Sequence, residues 1–89
     1  MEDLCLKSWP YLEEDVLNEN QRQLAKWGIH NHDPFKWLAF VTEEVGEMAE
    51  AISEWHFRGH SPNDVVKEAI QSATLCLKIA EMFKYQAGR

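Results

Sequence analysis

The chain is predicted to be all-α: a long antiparallel helical hairpin preceded by a shorter helix, pairing with copies of itself into a four-helix-bundle-type oligomer. Three observations predict it. Apolar residues recur by threes and fours through the middle of the chain, as on one face of a helix. Two helix starts are written plainly, at Asp33-Pro34 and Ser61-Pro62. Finally, 45% of 89 residues are hydrophobic, four of them tryptophan, which is more than one short bundle readily hides.

Residues 1–11 read as an irregular lead through Trp9-Pro10-Tyr11, and 12–27 as a first helix stopped by Gly28. Ile29–Asp33 is a polar loop. Asp33 suits the N-cap and Pro34 the first turn of a helix over 34–58, with Gly59 as its C-terminal cap. Its stripe is Leu38, Val41, Val45, Met48, Ile52 and Trp55. Ser61, Pro62 and Asp64 start a third helix over 62–85. That helix carries apolar residues on two sides: Val66, Ala69, Ile70, Ala73, Leu77 and Ala80 on one, Leu75, Ile79 and Met82 on another. A helix apolar on two sides is covered on two sides, so a dimer at least, or a tetramer, is expected. The intervening loop is short, which makes the second and third helices an antiparallel hairpin within a single domain over 1–89.

Fifteen acidic against nine basic residues give a net charge of −6. Phosphate contacts dominate affinity for DNA and RNA, so this balance argues against a nucleic-acid polymer as partner. The start, MEDLCLKSWP, lacks the basic end and apolar stretch of a signal peptide, and no apolar run approaches the roughly 20 residues that cross a bilayer. A cytoplasmic protein with no membrane partner is therefore expected. Cys5 and Cys76 match no metal or redox spacing, and Cys76 reads as a buried thiol in an apolar run. His30-Asn31-His32 lacks the ββα context of a nuclease, and His56 and His60 read as helix-end histidines facing water.

The chemistry concentrates in the acidic residues. At about 100° per residue, Glu43, Glu50 and Glu54 fall on the outer face of the second helix. Glu44 and Glu47, spaced i and i+3, project from the margin of its apolar stripe. Glu68 and Gln71 repeat that spacing on the third helix, and in an antiparallel hairpin of favourable offset the two pairs can meet across the seam. Carboxylates gathered there repel unless a cation neutralises them, and oxygen-only ligands suit Mg²⁺ or Mn²⁺. The same spacing is common on solvated helix surfaces, so by itself it is consistent with either.

The segment KWLAFVTEEVGEMAEAISE (36–54), followed by VVKEAIQSATLCLKIAEMF (65–83), resembles the MazG-like members of the all-α NTP pyrophosphohydrolase superfamily. Their hallmark is E-E-x-x-E on one helix and E-x-x-D on the next. Glu43, Glu44 and Glu47 match the first part and Glu68 the start of the second. RQLAKWGIHNHDPFKW (22–37) is similar to a segment ahead of the acidic helix in a bacterial and phage branch, and the resemblance spans about residues 18–86. One position departs: Gln71 stands where the motif has aspartate. An amide oxygen can coordinate Mg²⁺, but it brings no charge and cannot be a base.

The resemblance implies house-cleaning hydrolysis of a nucleoside triphosphate to monophosphate and pyrophosphate, with Mg²⁺ (or Mn²⁺) as cofactor. It implies Glu44, Glu47, Glu68 and Gln71 as metal ligands, and catalysis by Glu43, Glu44, Glu47 and Glu68, one of which activates the water. Arg22 and Lys26, four apart on the first helix, are candidates for the phosphates, with plain helix surface as the other reading. Trp27, Asn31, His32 and Trp37 are candidates to frame the base, and both tryptophans suit a core position equally. Two rival readings stay open: a nucleotide-binding sensor that lost turnover at Gln71, and a helical protein-interaction module.

Overall fold

The computed structural model describes residues 4–28 and 33–86, Gln86 through its backbone only. They form three helices and, among the described residues, no strand: α1 (Trp9–Trp27), α2 (Pro34–Arg58) and α3 (Pro62–Gln86).

Local chemistry explains most of the boundaries. Asp33 accepts a hydrogen bond from the Lys36 backbone N–H at 3.0 Å, and Pro34 sits in the first turn, where no N–H is needed. Gly59 takes the left-handed conformation (φ 68°, ψ 24°) that ends α2, and the His60 N–H returns to the Glu54 carbonyl at 3.2 Å. The Ser61 hydroxyl accepts from the Asn63 N–H at 3.1 Å and opens α3.

The start of α1 is a correction. It begins at Trp9 rather than at residue 12, because the first-turn position of Pro10 costs no hydrogen bond, while Tyr11 and Leu12 both donate to the Ser8 carbonyl. With 19 residues against 25, α1 is shorter than either hairpin helix.

Helix α3 is the spine. Both α1 and α2 pack on it, and they do not pack on each other, so a groove runs between them with α3 as its floor. The radius of gyration is 14.7 Å, against about 12 Å for a compact chain of this size. The openness shows in the burial pattern. Leu75 is the sole buried hydrophobe among the described residues, whereas Gln23, Gln71, Ser72 and Thr74 are buried too.

Much of the apolar stripe of α2 stays in water. Val41 and Met48 are half-buried, but Leu38, Val45 and Ile52 form an exposed row at steps of seven. On α3, Val66, Ala73, Leu77 and Ala80 are exposed as well. Cys76 lies among them, exposed rather than buried, because the side of α3 that carries it is the one no helix of this chain covers. No helix among the described residues is long and apolar enough to cross a membrane.

Candidate functional site

Antiparallel packing of α2 on α3 sets Glu44 and Glu47 opposite Glu68. One carboxylate oxygen from each lies within 4.8 Å of the other two. Burial pushes the Glu44 carboxyl up to about 7, and the neighbouring charges of Glu47 and Glu68 push the same way. This is the signature of acidic groups crowded where a proton or a cation must offset their charge.

Gln71 sits at the centre, buried. With its amide oriented to set a donor against the two acceptors, Nε2 donates to Glu68 Oε2 at 3.0 Å and to Glu44 Oε2 at 2.9 Å. The side chain that breaks the acidic motif thus ties α2 to α3 through their carboxylates. The donor set, three carboxylates with an amide beside them, suits a hard divalent cation that takes oxygen ligands. Turning the Gln71 amide would present its oxygen as a further ligand.

Glu44 also lines the head of the groove, which encloses about 1180 Å³. Ligand sites commonly measure about 300–1,000 Å³, so a whole nucleotide has room. Glu43, assigned by the helical wheel to the outer face, lines the groove beside Glu44, since α1 stands away from this flank and leaves it open. Glu50 is exposed. Glu54 is half-buried rather than fully solvated, ion-pairs with Arg58 at 3.7 Å and has His60 Nδ1 3.5 Å from its carboxylate.

The candidate phosphate-binding residues separate. Arg22 lines the groove, and its guanidinium grips Glu19 through two 2.8 Å hydrogen bonds, from Nε and Nη2. The bond to Glu19 raises the Arg22 pKa, burial opposes, and the charges of Glu19, Glu44 and Glu68 add to the rise. Arg22 is thereby tied electrostatically to the acidic cluster. Lys26 does not line the groove; its Nζ lies 4.9 Å from the Trp27 ring centroid. Trp27 and Trp37 both line the groove, Trp27 about half exposed and Trp37 half-buried, edge-on to Phe40 with centroids 6.1 Å apart. Asn31 and His32 lie outside the described residues, as does most of the loop that holds them.

Sequence reasoning missed a second polar group in the groove. Lys78 donates to Gln23 Oε1 at 2.5 Å, and Gln23 Nε2 donates to Glu19 Oε2 at 2.7 Å. Burial alone raises the Glu19 pKa, but the bonds from Arg22 and Gln23 outweigh it and leave a net lowering. The signal was present: Glu68, Gln71, Leu75, Lys78, Met82 and Tyr85 step by three and four along a single face of α3.

Comparison with known proteins gives no match, whether to a family model, a curated protein or a solved structure.

Proposed function

We propose that the chain is a Mg²⁺-dependent nucleoside triphosphate pyrophosphohydrolase that releases monophosphate and pyrophosphate. The observation that carries this reading is the convergence of Glu44, Glu47 and Glu68, of which Glu44 also lines a nucleotide-sized groove that holds Arg22 and two tryptophans. Bound there, a divalent cation supplies charge neutralisation for the phosphates and polarises the α-phosphorus toward attack.

The chain's own residues do the rest. Glu44, Glu47 and Glu68 hold the cation, and Gln71 contributes its amide oxygen once turned. Arg22 keeps three N–H donors beyond the two that Glu19 takes, and these face the phosphates. Glu43 lines the same wall without belonging to the converging trio, and takes the proton of the attacking water. Trp27 and Trp37 flank the base.

Self-association belongs to this reading. Leu38, Val45 and Ile52 repeat every seven residues and stay about half exposed, the spacing of a helix-pairing seam. A second copy laid along it would cover the open sides of α2 and α3 and complete a four-helix core, as a dimer or a pair of dimers. Both thiols are free, in keeping with a reducing cytoplasm.

A second reading draws on Gln71. Its amide supplies neither charge nor base and already bridges Glu44 and Glu68, as expected of a binding module that has given up turnover. A panel of NTPs and dNTPs with Mg²⁺ or Mn²⁺, assayed separately for pyrophosphate and phosphate, decides between them. Metal-dependent pyrophosphate release supports the enzyme. Metal-dependent nucleotide binding without release makes the chain a sensor.

A further inference from the structure

Gln23 is the buried residue of α1, only 3% exposed, and it carries an amide where a hydrocarbon would be expected. Both ends of that amide are engaged. Nε2 donates to Glu19 Oε2, which also accepts from Arg22 Nη2, and Oε1 accepts from the Lys78 ammonium on α3. Arg22, Glu19, Gln23 and Lys78 thus form one hydrogen-bonded chain across the contact between α1 and α3. Arg22, Gln23 and Lys78 line the groove, and Glu19 does not.

Two positive heads share a single carboxylate in this chain, and they share it unequally. Arg22 holds both Glu19 oxygens through its two 2.8 Å bonds. Lys78 belongs to none of the ion pairs among the described residues; its bonded partner is a neutral amide. Burial presses the Lys78 pKa down, while Glu19 and Glu81 oppose that through their charges. The excess positive charge of the chain therefore rests at the ammonium, on the groove wall and partly out of water.

A neutral amide fixes where a lysine points without neutralising it. To strap α1 onto α3, a pair of neutral or aliphatic side chains would serve at a lower desolvation cost. A half-dried ammonium held without a counter-ion suits an anion that arrives with the ligand, and its fixed position leaves less freedom to lose on binding. After the bond to Gln23 the ammonium keeps two N–H donors, and the guanidinium keeps three.

We propose that Lys78 is a second phosphate-binding residue of the groove, acting with Arg22 on one polyphosphate, and that Gln23 and Glu19 position the two cations. This rests on the groove being the nucleotide site.

Inorganic pyrophosphate is the probe, since it presents the phosphate chain without base or sugar. By titration calorimetry at fixed Mg²⁺, the wild type is expected to bind it, and Lys78→Met to weaken binding about tenfold, the worth of a hydrogen bond to a charged group. Lys84→Met removes the same charge from an exposed position of α3 outside the groove and leaves the affinity unchanged. Lys78→Arg restores most of the loss. Gln23→Met weakens binding about threefold alone and adds little to Lys78→Met, because it acts through the lysine. Circular dichroism establishes that each variant is helical.

No pyrophosphate binding by folded wild type, full affinity in Lys78→Met, or an equal loss in Lys84→Met overturns the proposal. A Gln23→Met loss that persists in full without Lys78 removes Gln23 as its positioning residue. Pyrophosphate release from nucleoside triphosphates with a KM indifferent to Lys78→Met overturns this inference and leaves the hydrolase standing. Lys78-dependent pyrophosphate binding without release from any nucleoside triphosphate does the reverse.

Discussion

The two sides of α3 are built to opposite rules. Toward α1 and α2 it buries Gln71, Ser72 and Thr74 with Leu75, the one buried hydrophobe among the described residues. Elsewhere it leaves Ala73 and Ala80 exposed, with Val66 and Leu77 exposed along its α1 margin, while Leu38, Val45 and Ile52 form an exposed row on α2. The domain hides amides and hydroxyls while exposing aliphatic side chains, a pattern that the proposed self-association would cover. The Ser72 and Thr74 hydroxyls are satisfied locally, donating to the Glu68 and Ile70 carbonyls at 3.0 and 2.8 Å, so their burial costs little. Carboxylates gathered around Gln71 do cost, and in the proposed oligomer burial of the open apolar side would offset that cost.

The contrast is sharpest at Leu75. If it anchors the scant core, Leu75→Ala lowers the free energy of unfolding in urea by about 2–4 kcal/mol, whereas Leu77→Ala, half exposed in one chain, changes it by under about 1 kcal/mol in a monomeric background. Next in size comes the row on α2. Val45→Glu with Ile52→Lys is expected to shift the mass seen by light scattering to the 10.4 kDa monomer and to lower Tm by on the order of 10 °C. A wild type that is itself monomeric at high concentration breaks the comparison.

A smaller effect tests the polar side through pH. Glu44 titrates near 7 when folded, above its ordinary value of 4.5, so the folded protein binds the extra proton. Its contribution to stability is therefore fully present below about 4.5 and is lost as pH rises through about 7. In EDTA the Tm of the metal-free protein is expected to fall between pH 6 and pH 8, by a few degrees at most because Glu44 is partly exposed and screened. Mg²⁺ displaces that proton, so it raises Tm more at pH 8 than at pH 6. Scanning fluorimetry reads both; an equal Mg²⁺ effect at the two pH values removes Glu44 from the metal site.

Gln71→Asp is the finest probe. It replaces a donor with a further negative charge, so metal-free stability drops slightly while Mg²⁺ binds about tenfold more tightly by calorimetry. Unchanged affinity would mean that residue 71 is a strut between the helices and no ligand.

What was legible in the sequence follows from how local each determinant is. Asp33-Pro34, Gly59 and Ser61-Pro62 mark helix ends because capping involves only neighbouring residues. Proline in a first turn obeys the same rule, yet Pro10 reads as a break unless the missing N–H is seen to be unneeded, and three residues of α1 are lost to that reading. Periodicity shows that α3 is apolar on two sides but not which of them the same chain covers, so Cys76 reads as buried when it is exposed. The i, i+3 spacing within each acidic pair is legible. The meeting of Glu44 and Glu47 with Glu68 depends on hairpin register, which a short loop restricts to few choices. Lys78 escaped notice because its partner, Gln23, lies 55 residues away on a helix whose docking no local pattern specifies.

The most direct test compares two glutamates of the same helix. Glu44 faces the cluster and Glu50 faces water. Pyrophosphate release from nucleoside triphosphates in Mg²⁺ is expected from the wild type and equally from Glu50→Gln, with at least about a 100-fold loss in Glu44→Gln. No release from folded wild type with either Mg²⁺ or Mn²⁺, or a Glu44→Gln rate equal to that of Glu50→Gln, would contradict the assignment of this cluster as the metal centre of a pyrophosphohydrolase.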